Sequence, residues 1–389
     1  MPKLAQREQQ VGAFQVMHLV GEAQRLMAEG ADVIHLEVGE PDFPTPPQVV
    51  AAAVESMQSG QTFYTPSSGL RGLQQALQGF YQRRYGLAIA PERFVLTPGA
   101  SGALQVVLSL MLDAGQEILL PEPGYPCNRH ISRLLNISTR CAPLAADQGF
   151  DLTAAWLAQH WRPETRALLV SSPANPTGKV LDRARLSVLA EWCREHDAHL
   201  LVDEIYHGLV NDAERTPSVL EVDPQAWVVN SFSKYFGMTG WRLGWAVVPP
   251  YAVEAANRLV QNLFLAPPTM SQHAALRALD ADMGEVYEQR RQAFRQRRDV
   301  LLSGLQRLGF QCPAGGQGAF YLYVDVSHTG LSAWDFSARL LQEAHVATTP
   351  GDDFGGAAPE RYVRFAYTCD TPRLEEALTR LAGFLERTC

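Results

Sequence analysis

The sequence predicts an α/β protein with a three-layer large domain, built on a mainly parallel central sheet, and a smaller α+β domain. Segments with helical periodicity alternate with short apolar runs along most of the chain, as in folds whose helices connect parallel strands. Runs such as 167–171 and 199–202 are almost entirely apolar, which predicts strands buried on both faces. The chain has 389 residues, more than the roughly 250–300 residues that one hydrophobic core supports. We therefore predict a large domain over residues 48–285 and a small domain built from residues 1–47 and 286–389.

The elements of the N-terminal third follow in order from local signals. A helix is predicted over residues 16–29, because Gly30 ends a pattern that places five apolar residues on one face: Leu19, Val20, Ala23, Leu26 and Met27. The alternation continues with a strand over 33–38, helices over 49–57 and 69–85, a strand over 94–97, a helix over 102–111 and a strand over 117–120.

The same alternation extends through the middle of the chain. Leu186, Leu189, Ala190 and Cys193 form the apolar face of a helix predicted over 183–195. The buried strands around it are predicted over 167–171, 199–202, 226–230 and 243–248. A long helical region over 283–308, rich in Arg and Gln, leads into the second domain, whose strands are predicted over 319–326 and 362–366.

Composition excludes several classes of protein. Apolar residues make up 46% and charged residues 19% of the chain, as in an ordinary globular enzyme. The net charge of −8 does not suit nucleic acid, and no stretch reaches the ~18 apolar residues of a membrane span. The polar N-terminal segment has no apolar core of a signal peptide, so we expect a cytoplasmic protein. The scattered cysteines predict reduced thiols and no bound metal: Cys127, Cys141, Cys193, Cys312, Cys369 and Cys389.

One lysine is the strongest sign of chemistry. Lys234 follows Ser231 and Ser233 just after an apolar strand, and Arg242 lies a few residues further on. The segment thus combines an amine that can attack an aldehyde with donors for an attached phosphate, the combination that pyridoxal phosphate requires. A solvated surface lysine is the alternative for a lone residue of this type.

Other polar clusters also fall where predicted strands end, the edge at which open α/β sheets bind ligands. Gly99, Ala100 and Ser101 join a strand to a helix and suit an anion near the positive end of that helix, although a simple helix cap has the same composition. Asn175 lies between two prolines that stiffen its backbone, as a ligand-binding amide or an ordinary turn residue. Asp203 ends another strand, and we expect it to pair with a cation or to be functional.

These residues give the chain a resemblance, over nearly its whole length, to class I pyridoxal-phosphate aminotransferases of fold type I, in the bacterial aspartate aminotransferase-like branch. The matching segments occur in the family's order: Gly39-Glu40-Pro41-Asp42-Phe43, Tyr64, the Gly99–Gly102 turn, Asn175-Pro176-Thr177-Gly178, Asp203-Glu204-Ile205-Tyr206, Ser231-Phe232-Ser233-Lys234 and Arg364.

The resemblance implies a role for each site residue. Lys234 binds the cofactor covalently and later moves a proton between the substrate Cα and the cofactor, with a pKa lowered by cationic neighbours and partial burial. The Asp203 carboxylate is expected to keep the ring nitrogen protonated, and Tyr206 to donate to the ring's phenolic oxygen. The remaining cofactor-binding residues are Gly99, Ala100, Ser101, Ser231, Ser233 and Arg242 around the phosphate, with Asn175 and a stacking Tyr125 at the ring.

The substrate and the second subunit are implied in the same way. Arg364, on a predicted strand, is expected to bind the substrate α-carboxylate with Gly39 and Asn175, with a structural salt bridge as the alternative role for the arginine. Tyr64 resembles the tyrosine that reaches the phosphate of the neighbouring subunit, so a homodimer with shared active sites is expected.

The expected reaction is ping-pong transfer of an amino group from an L-amino acid to a 2-oxo acid, through the pyridoxal and pyridoxamine forms of the cofactor. Phe14, Val16 and Met17 match the side-chain pocket of related enzymes, and no second arginine for a dicarboxylate is recognisable. We therefore expect a neutral, apolar or aromatic donor, with 2-oxoglutarate as acceptor. A carbon–sulfur β-lyase, a ring-forming synthase acting on a sulfonium amino acid, and a ligand-sensing regulator are the alternatives.

Overall fold

The computed structural model describes residues 3–212 and 215–388. Its helices in chain order are α1 (Val16–Ala28), α2 (Pro47–Gln58), α3 (Arg71–Tyr85), α4 (Gly99–Met111), α5 (Pro126–Leu134), α6 (Ala154–His160), α7 (Arg183–Glu195), α8 (Val253–Phe264), α9 (Thr269–Ala278), α10 (Gly284–Arg307), α11 (Ala333–Ala344) and α12 (Thr371–Thr388). None of the described helices is both long and apolar enough to cross a membrane.

The strands form one large sheet and two small ones. They are β1 (Ile34–His35), β2 (Phe94–Thr97), β3 (Glu117–Glu122), β4 (Ser138–Pro143), β5 (Thr165–Ser171), β6 (His199–Asp203), β7 (Trp227–Ser231), β8 (Gly244–Val247), β9 (Tyr321–Asp325), β10 (Val346–Ala347), β11 (Thr349–Pro350) and β12 (Tyr362–Ala366). The large sheet has the order β2-β8-β7-β6-β5-β3-β4, in which only β8 runs antiparallel to its neighbours. The predicted, mainly parallel central sheet is confirmed.

Successive residues of the central strands face opposite layers of helices. Leu168 and Val170 of β5 pack with α2, α3, α7 and α9, whereas Ala167 and Leu169 pack with α4 and α8. Because side chains alternate across a strand, a strand covered on both faces is apolar throughout. The structure therefore has the three layers expected from the sequence.

A second core lies against the carboxyl ends of the large sheet. β9 pairs with β12, and β12 with β11, and helices α10, α11 and α12 pack on this small sheet. Leu19 and Ala23 of α1 pack against Leu341 and Ala347, so the N-terminal helix joins the last third of the chain. This separation of cores supports the division into residues 48–285 and residues 1–47 with 286–389, which stays a proposal.

Several predicted boundaries differ from the observed ones. The strand predicted over 33–38 pairs only at Ile34 and His35, because the Glu37 carbonyl binds the Arg364 and Thr349 side chains and leaves the strand ladder. The helix predicted from residue 102 begins at Gly99, since the weak helix formers at its start are held by tertiary contacts rather than by propensity.

The predicted elements also omit the strands β4, β10 and β11 and the helices α5, α6, α8, α9, α11 and α12. The predicted reduced cysteines within the described residues, Cys127, Cys141, Cys193, Cys312 and Cys369, carry free thiols. Cys389 and the first two residues lie outside the described part of the chain.

Candidate active site

A cavity of about 300 Å³ opens where the carboxyl ends of β5, β6 and β7 meet the small sheet and α1. The sequence-predicted residues that line it are Gly39, Ala100, Ser101, Tyr125, Asn175, Asp203, Tyr206, Ser231, Ser233, Lys234, Arg242 and Arg364. Parallel strands end at one edge of a sheet, and this is why residues far apart in sequence meet here. Gly99 adjoins the cavity through its neighbour Ala100.

Lys234 follows β7 and reaches across to the small domain. Its Nζ donates a hydrogen bond of 2.6 Å to the Gly39 carbonyl oxygen. Burial lowers the pKa of Lys234 to about 8; Glu40 opposes this shift, whereas Arg364 and Arg242 add to it. The sequence predicted a lowered pKa, with cationic neighbours as one cause, and in the structure burial of the amine is the larger cause. The amine is therefore partly neutral near physiological pH, as a base or nucleophile must be.

Asp203 ends β6 beside Ser171, the last residue of β5. Its side chain is buried, and its only hydrogen-bond donor among the described residues is the Ile205 amide, 3.1 Å away. Burial raises the pKa of Asp203 to about 7, although the Ile205 amide and Lys234 act in the opposite direction. A buried carboxylate with so few donors is ready to receive a cationic partner.

An anion-binding cradle forms where α4 begins. Ala100 and Ser101 lie in the first turn of this helix, where backbone amides lack partners within the helix. The Ser231 and Ser233 hydroxyls, 2.9 Å apart, line the same cavity, and so does Arg242. Gly99 has φ +71° and a Cβ there would lie 2.6 Å from Arg242 Nη2, so only glycine lets the arginine approach.

Arg364 lies on β12 and faces the cavity with an unusual set of partners. Its Nη1 donates to Asn175 Oδ1 at 2.9 Å, and its Nη2 donates to the Glu37 carbonyl at 2.6 Å and to Thr349 Oγ1 at 3.2 Å. None of these partners is a carboxylate, and Arg364 Nε is buried without a hydrogen-bond partner in the described structure. The guanidinium therefore holds an uncompensated positive charge, which a substrate carboxylate can neutralise bidentately.

Two aromatic side chains border the position of the expected ring. Tyr125 immediately precedes α5, and its ring borders the cavity. Tyr206 Oη lies 2.8 Å from Tyr321 Oη, and burial raises the pKa of Tyr206 well above its ordinary value. The Tyr206 hydroxyl thus stays protonated and can donate a hydrogen bond.

The small domain contributes residues that sequence reasoning missed. Tyr321 of β9 stacks under the Arg364 guanidinium at 4.4 Å, and Phe354 contacts the same group at 4.9 Å. Thr349 binds both Arg364 and the Glu37 carbonyl. Gly39 is required beside this group, because a Cβ there would lie 2.0 Å from Tyr321 Oη. Only the pairing of β9, β12 and β11 brings these side chains together, and no local pattern marks them.

Tyr64 is the predicted site residue that lies apart from this cavity. Its side chain is 82% exposed, and Phe63 beside it is 81% exposed. Its predicted role in a neighbouring subunit stays a prediction.

Pyridoxal phosphate fits this arrangement group by group. The α4 amides, the two serine hydroxyls and Arg242 suit its phosphate. The buried Asp203 carboxylate lacks the cation that a protonated ring nitrogen supplies, and the Lys234 amine suits its aldehyde.

Comparison with known proteins agrees with this geometry. A family model for aminotransferases of class I and II matches residues 31–381. The chain is 37% identical over 377 residues to a valine–pyruvate aminotransferase of Mycobacterium tuberculosis, covering 96% of this chain and 97% of that protein. It is 34% identical over 394 residues to an aspartate aminotransferase of Geobacillus stearothermophilus, covering 99% of both.

Solved structures show the same fold. A crystal structure of an aminotransferase from Mycobacterium tuberculosis superimposes with a TM-score of 0.96 at 35% identity, and the alignment covers 100% of both chains. The protein therefore belongs to the class I and II aminotransferases and is a fold type I enzyme that depends on pyridoxal phosphate.

Proposed function

We propose that this aminotransferase moves the amino group of a neutral, apolar or aromatic L-amino acid to a 2-oxo acid by ping-pong exchange. The observation that carries the proposal is the convergence of Lys234, Asp203 and Arg364 on one cavity. Their side chains supply a nucleophilic amine, an acid for a ring nitrogen and a carboxylate-binding guanidinium, the minimum set for this reaction.

When bound, pyridoxal phosphate supplies an aldehyde that carries the amino group between the two substrates and a ring that withdraws electrons from the substrate Cα. Asp203 supports this chemistry by holding a proton on the ring nitrogen. Its carboxylate is buried with one backbone donor, so ionisation is favoured only when a cation lies beside it. Tyr206, which stays protonated, would donate a hydrogen bond to the ring's phenolic oxygen.

Lys234 then acts as the base at the reacting carbon. With the cofactor in place, the neutral Lys234 amine would be the base that takes the proton from the substrate Cα. A pKa near 8 leaves a substantial neutral fraction at pH 7 to 8. The Gly39 carbonyl, 2.6 Å from Nζ, gives the freed amine a fixed position within the cavity.

Arg364 and Asn175 orient the substrate. The guanidinium and the amide bond to each other at 2.9 Å, which fixes both for an incoming α-carboxylate. The wall that remains for the substrate side chain includes Phe14, Val16 and Met17, which supports an apolar donor. Among the relatives, the name of the valine–pyruvate aminotransferase agrees with such a donor, whereas the name of the aspartate aminotransferase indicates an acidic one.

The proposal also concerns the identity of the 2-oxo acid that accepts the amino group. The sequence predicts 2-oxoglutarate, whereas the name of the valine–pyruvate relative points to pyruvate. Both acceptors therefore belong in the test.

The test is a half-reaction followed by the absorbance of the cofactor. Each amino acid of a panel, added alone to the holoenzyme, should convert the cofactor stoichiometrically to its aminated form, and a 2-oxo acid should reverse the change. Release of pyruvate and ammonia from the donor without this conversion would instead show a β-lyase. If the protein binds DNA and none of these substrates is turned over, the protein is a regulator.

The Lys234→Ala variant tests the residue that carries the proposal. It should bind the cofactor without a covalent link, so borohydride treatment and mass spectrometry should find no adduct on the protein, and turnover should fall by at least about 10⁴-fold. Wild-type protein treated in the same way is the control, with the adduct at Lys234. Full turnover in the variant would contradict the assignment.

A further inference from the structure

The side chain of Tyr321 on β9 contacts two groups that have different roles in the proposed function. The residue is 1% exposed, and its hydroxyl oxygen lies 2.8 Å from the hydroxyl oxygen of Tyr206. The Arg364 guanidinium lies over the face of its ring, 4.4 Å from the ring centroid. Tyr321 thus links the residue expected at the phenolic oxygen of the cofactor to the residue expected at the substrate α-carboxylate.

The hydrogen bond between the two tyrosines has a direction that the number of protons decides. Burial raises the pKa of both Tyr206 and Tyr321, so each phenol keeps its single proton. When Tyr206 donates a hydrogen bond to the cofactor, its oxygen can only accept from Tyr321. Among the described residues, the Tyr206 hydroxyl has no other hydrogen-bond partner. Hydrogen bonds in such a chain polarise one another, so Tyr321 makes Tyr206 a stronger donor.

The Tyr321 hydroxyl has little freedom to adopt another arrangement. A Cβ on Gly39 would lie 2.0 Å from its oxygen, so the Gly39 backbone packs directly against the hydroxyl. The Gly39 carbonyl in turn accepts the hydrogen bond from Lys234. On the strand itself, β9 pairs with β12 along its whole length, which fixes the backbone of Tyr321. These backbone contacts therefore hold the hydroxyl in place beside Tyr206.

The ring of Tyr321 acts on Arg364 in a different way. The hydrogen-bond partners of the guanidinium are neutral, and its Nε is buried without a partner in the described structure. The negative face of an aromatic ring attracts a cation, and Phe354 adds a second ring at 4.9 Å. Tyr321 therefore stabilises the positive charge before a substrate arrives, and it does so without occupying the N–H groups that a carboxylate needs.

We propose that Tyr321 is a positioning residue with two separable functions. Its hydroxyl donates to the Tyr206 oxygen and directs the Tyr206 proton to the cofactor, and its ring holds the Arg364 guanidinium ready for a carboxylate. This inference rests on the proposed function, and it assigns the two functions to different atoms of one side chain. Substitutions that remove the hydroxyl alone, or the hydroxyl together with the ring, therefore separate the functions.

The first test removes the hydroxyl and keeps the ring. In Tyr321→Phe, Tyr206 becomes a weaker donor, so the phenolic oxygen of bound pyridoxal phosphate becomes more basic. The pH midpoint of the visible absorbance change of the cofactor in the resting holoenzyme should therefore rise by about half a pH unit. Tyr206→Phe should raise the midpoint further. Adding Tyr321→Phe to Tyr206→Phe should cause no additional rise, because the effect of the Tyr321 hydroxyl passes through Tyr206.

The second test separates the ring from the hydroxyl. Valerate, a carboxylate with an apolar tail and no amino group, is titrated into the holoenzyme in a calorimeter. Tyr321→Leu, which removes the aromatic face beside Arg364, should weaken valerate binding by about 3- to 30-fold. Tyr321→Phe keeps that face and should bind valerate as the wild type does. The absorbance midpoint should rise equally in both variants, because both lack the hydroxyl.

A second tyrosine of the same strand provides the matched control. Tyr323 lies two residues after Tyr321, on the same face of β9, and is also 1% exposed. Its hydroxyl has no hydrogen-bond partner in the described structure, and the residue does not line the active-site cavity. Tyr323→Phe therefore removes a buried hydroxyl from β9 without touching Tyr206 or Arg364. It should leave both the absorbance midpoint and the affinity for valerate unchanged.

Either of two results would overturn the inference. The first is a midpoint shift from Tyr321→Phe that is as large in the Tyr206→Phe background as in the wild type, since the hydroxyl would then not act through Tyr206. The second is equal valerate affinity in Tyr321→Leu and the wild type, since the ring would then not support Arg364. Failure of the proposed function is a different result, because the wild-type protein itself would then form no adduct at Lys234.

Discussion

At the scale of single residues, some charged side chains of the active site lack a full set of hydrogen-bond and ionic partners among the described residues. Asp203 has one backbone donor, and Arg364 has neutral partners and an unpartnered Nε. A buried charge without a counter-ion destabilises the folded state. Such groups are kept where a ligand supplies the missing partner, and here the expected partners are a ring nitrogen and a substrate carboxylate.

Asp203→Asn tests this cost in the cofactor-free protein. The pKa of Asp203 rises from 3.8 to about 7 on folding. Stability from the protonated side chain is therefore fully present below pH 3.8 and is lost as pH rises through about 7. The asparagine variant does not ionise, so it should be more stable than wild type at pH 8.5 by up to about 4 kcal/mol.

Melting midpoints at pH 5.5 and 8.5, at equal protein concentration, measure the difference. The advantage of Asp203→Asn should be larger at pH 8.5, and the same variant should lose most transaminase activity when the cofactor is added. An advantage that does not depend on pH would argue against a buried ionisable carboxylate.

At the scale of elements, the ends of the central strands were predictable, and so were β9 and β12 of the small sheet, but the pairing of that sheet was not. Lys234, Asp203 and Asn175 each follow an apolar run, and the sequence alone orders them along one sheet edge. Tyr321, Thr349 and Asp353 reach the site only through the pairing of β9, β12 and β11 and through the contact with α1. Contacts between residues so distant in sequence leave no periodic signal.

The contact between β8 and α4 shows how one element sets the geometry of another. Gly244 pairs with Ser231 at the start of β8, and a Cβ on Gly244 would lie 2.7 Å from the Gly99 carbonyl carbon and 2.8 Å from the Ala100 nitrogen. These are backbone atoms, so a side chain there must displace the first turn of α4. That turn supplies the amides of the anion cradle.

Gly244→Ala should therefore weaken cofactor binding through the phosphate. Loss of one amide contact to a charged phosphate reduces affinity by about 10- to 100-fold. Fluorescence titration of the cofactor-free protein should show this loss for pyridoxal phosphate but a much smaller one for pyridoxal, which lacks the phosphate. Gly240→Ala is the matched control, because a Cβ at Gly240 meets no atom within 4 Å. Equal losses for both vitamers would show that the cradle is not the part affected.

At the scale of the whole molecule, the sequence predicts the layers of the fold better than its boundaries. The central residues of β5 to β7 are buried on both faces of the sheet, and the sequence shows them as apolar runs because each of these positions must be apolar. At the junction with the small domain, no repeating pattern of apolar residues marks where helices and strands begin and end. Chain segments leave regular structure there to bind the site, as the Glu37 and Gly39 carbonyls do.

The exposed apolar surface is a second property of the whole molecule. Phe63 and Tyr64 are more than four-fifths exposed, and Val50, Val54 and Met57 form an exposed stripe on α2. Large exposed apolar groups in one region favour association with another chain. In the predicted homodimer, the partner protomer would cover this surface, and Tyr64 of one protomer would contribute to the active site of the other.

Mixing two inactive variants tests the shared site directly. Lys234→Ala removes the amine of its own site, and Tyr64→Ala should weaken phosphate binding in the site of the partner, so each variant alone should have low activity. After random exchange of protomers, half of the dimers contain one of each variant. In such a dimer, one site has both defects and the other has neither. Activity should therefore recover to about a quarter of the wild-type value. A mixture that stays at the sum of its two components, although sedimentation shows exchanged dimers, would mean that Tyr64 does not act across the interface.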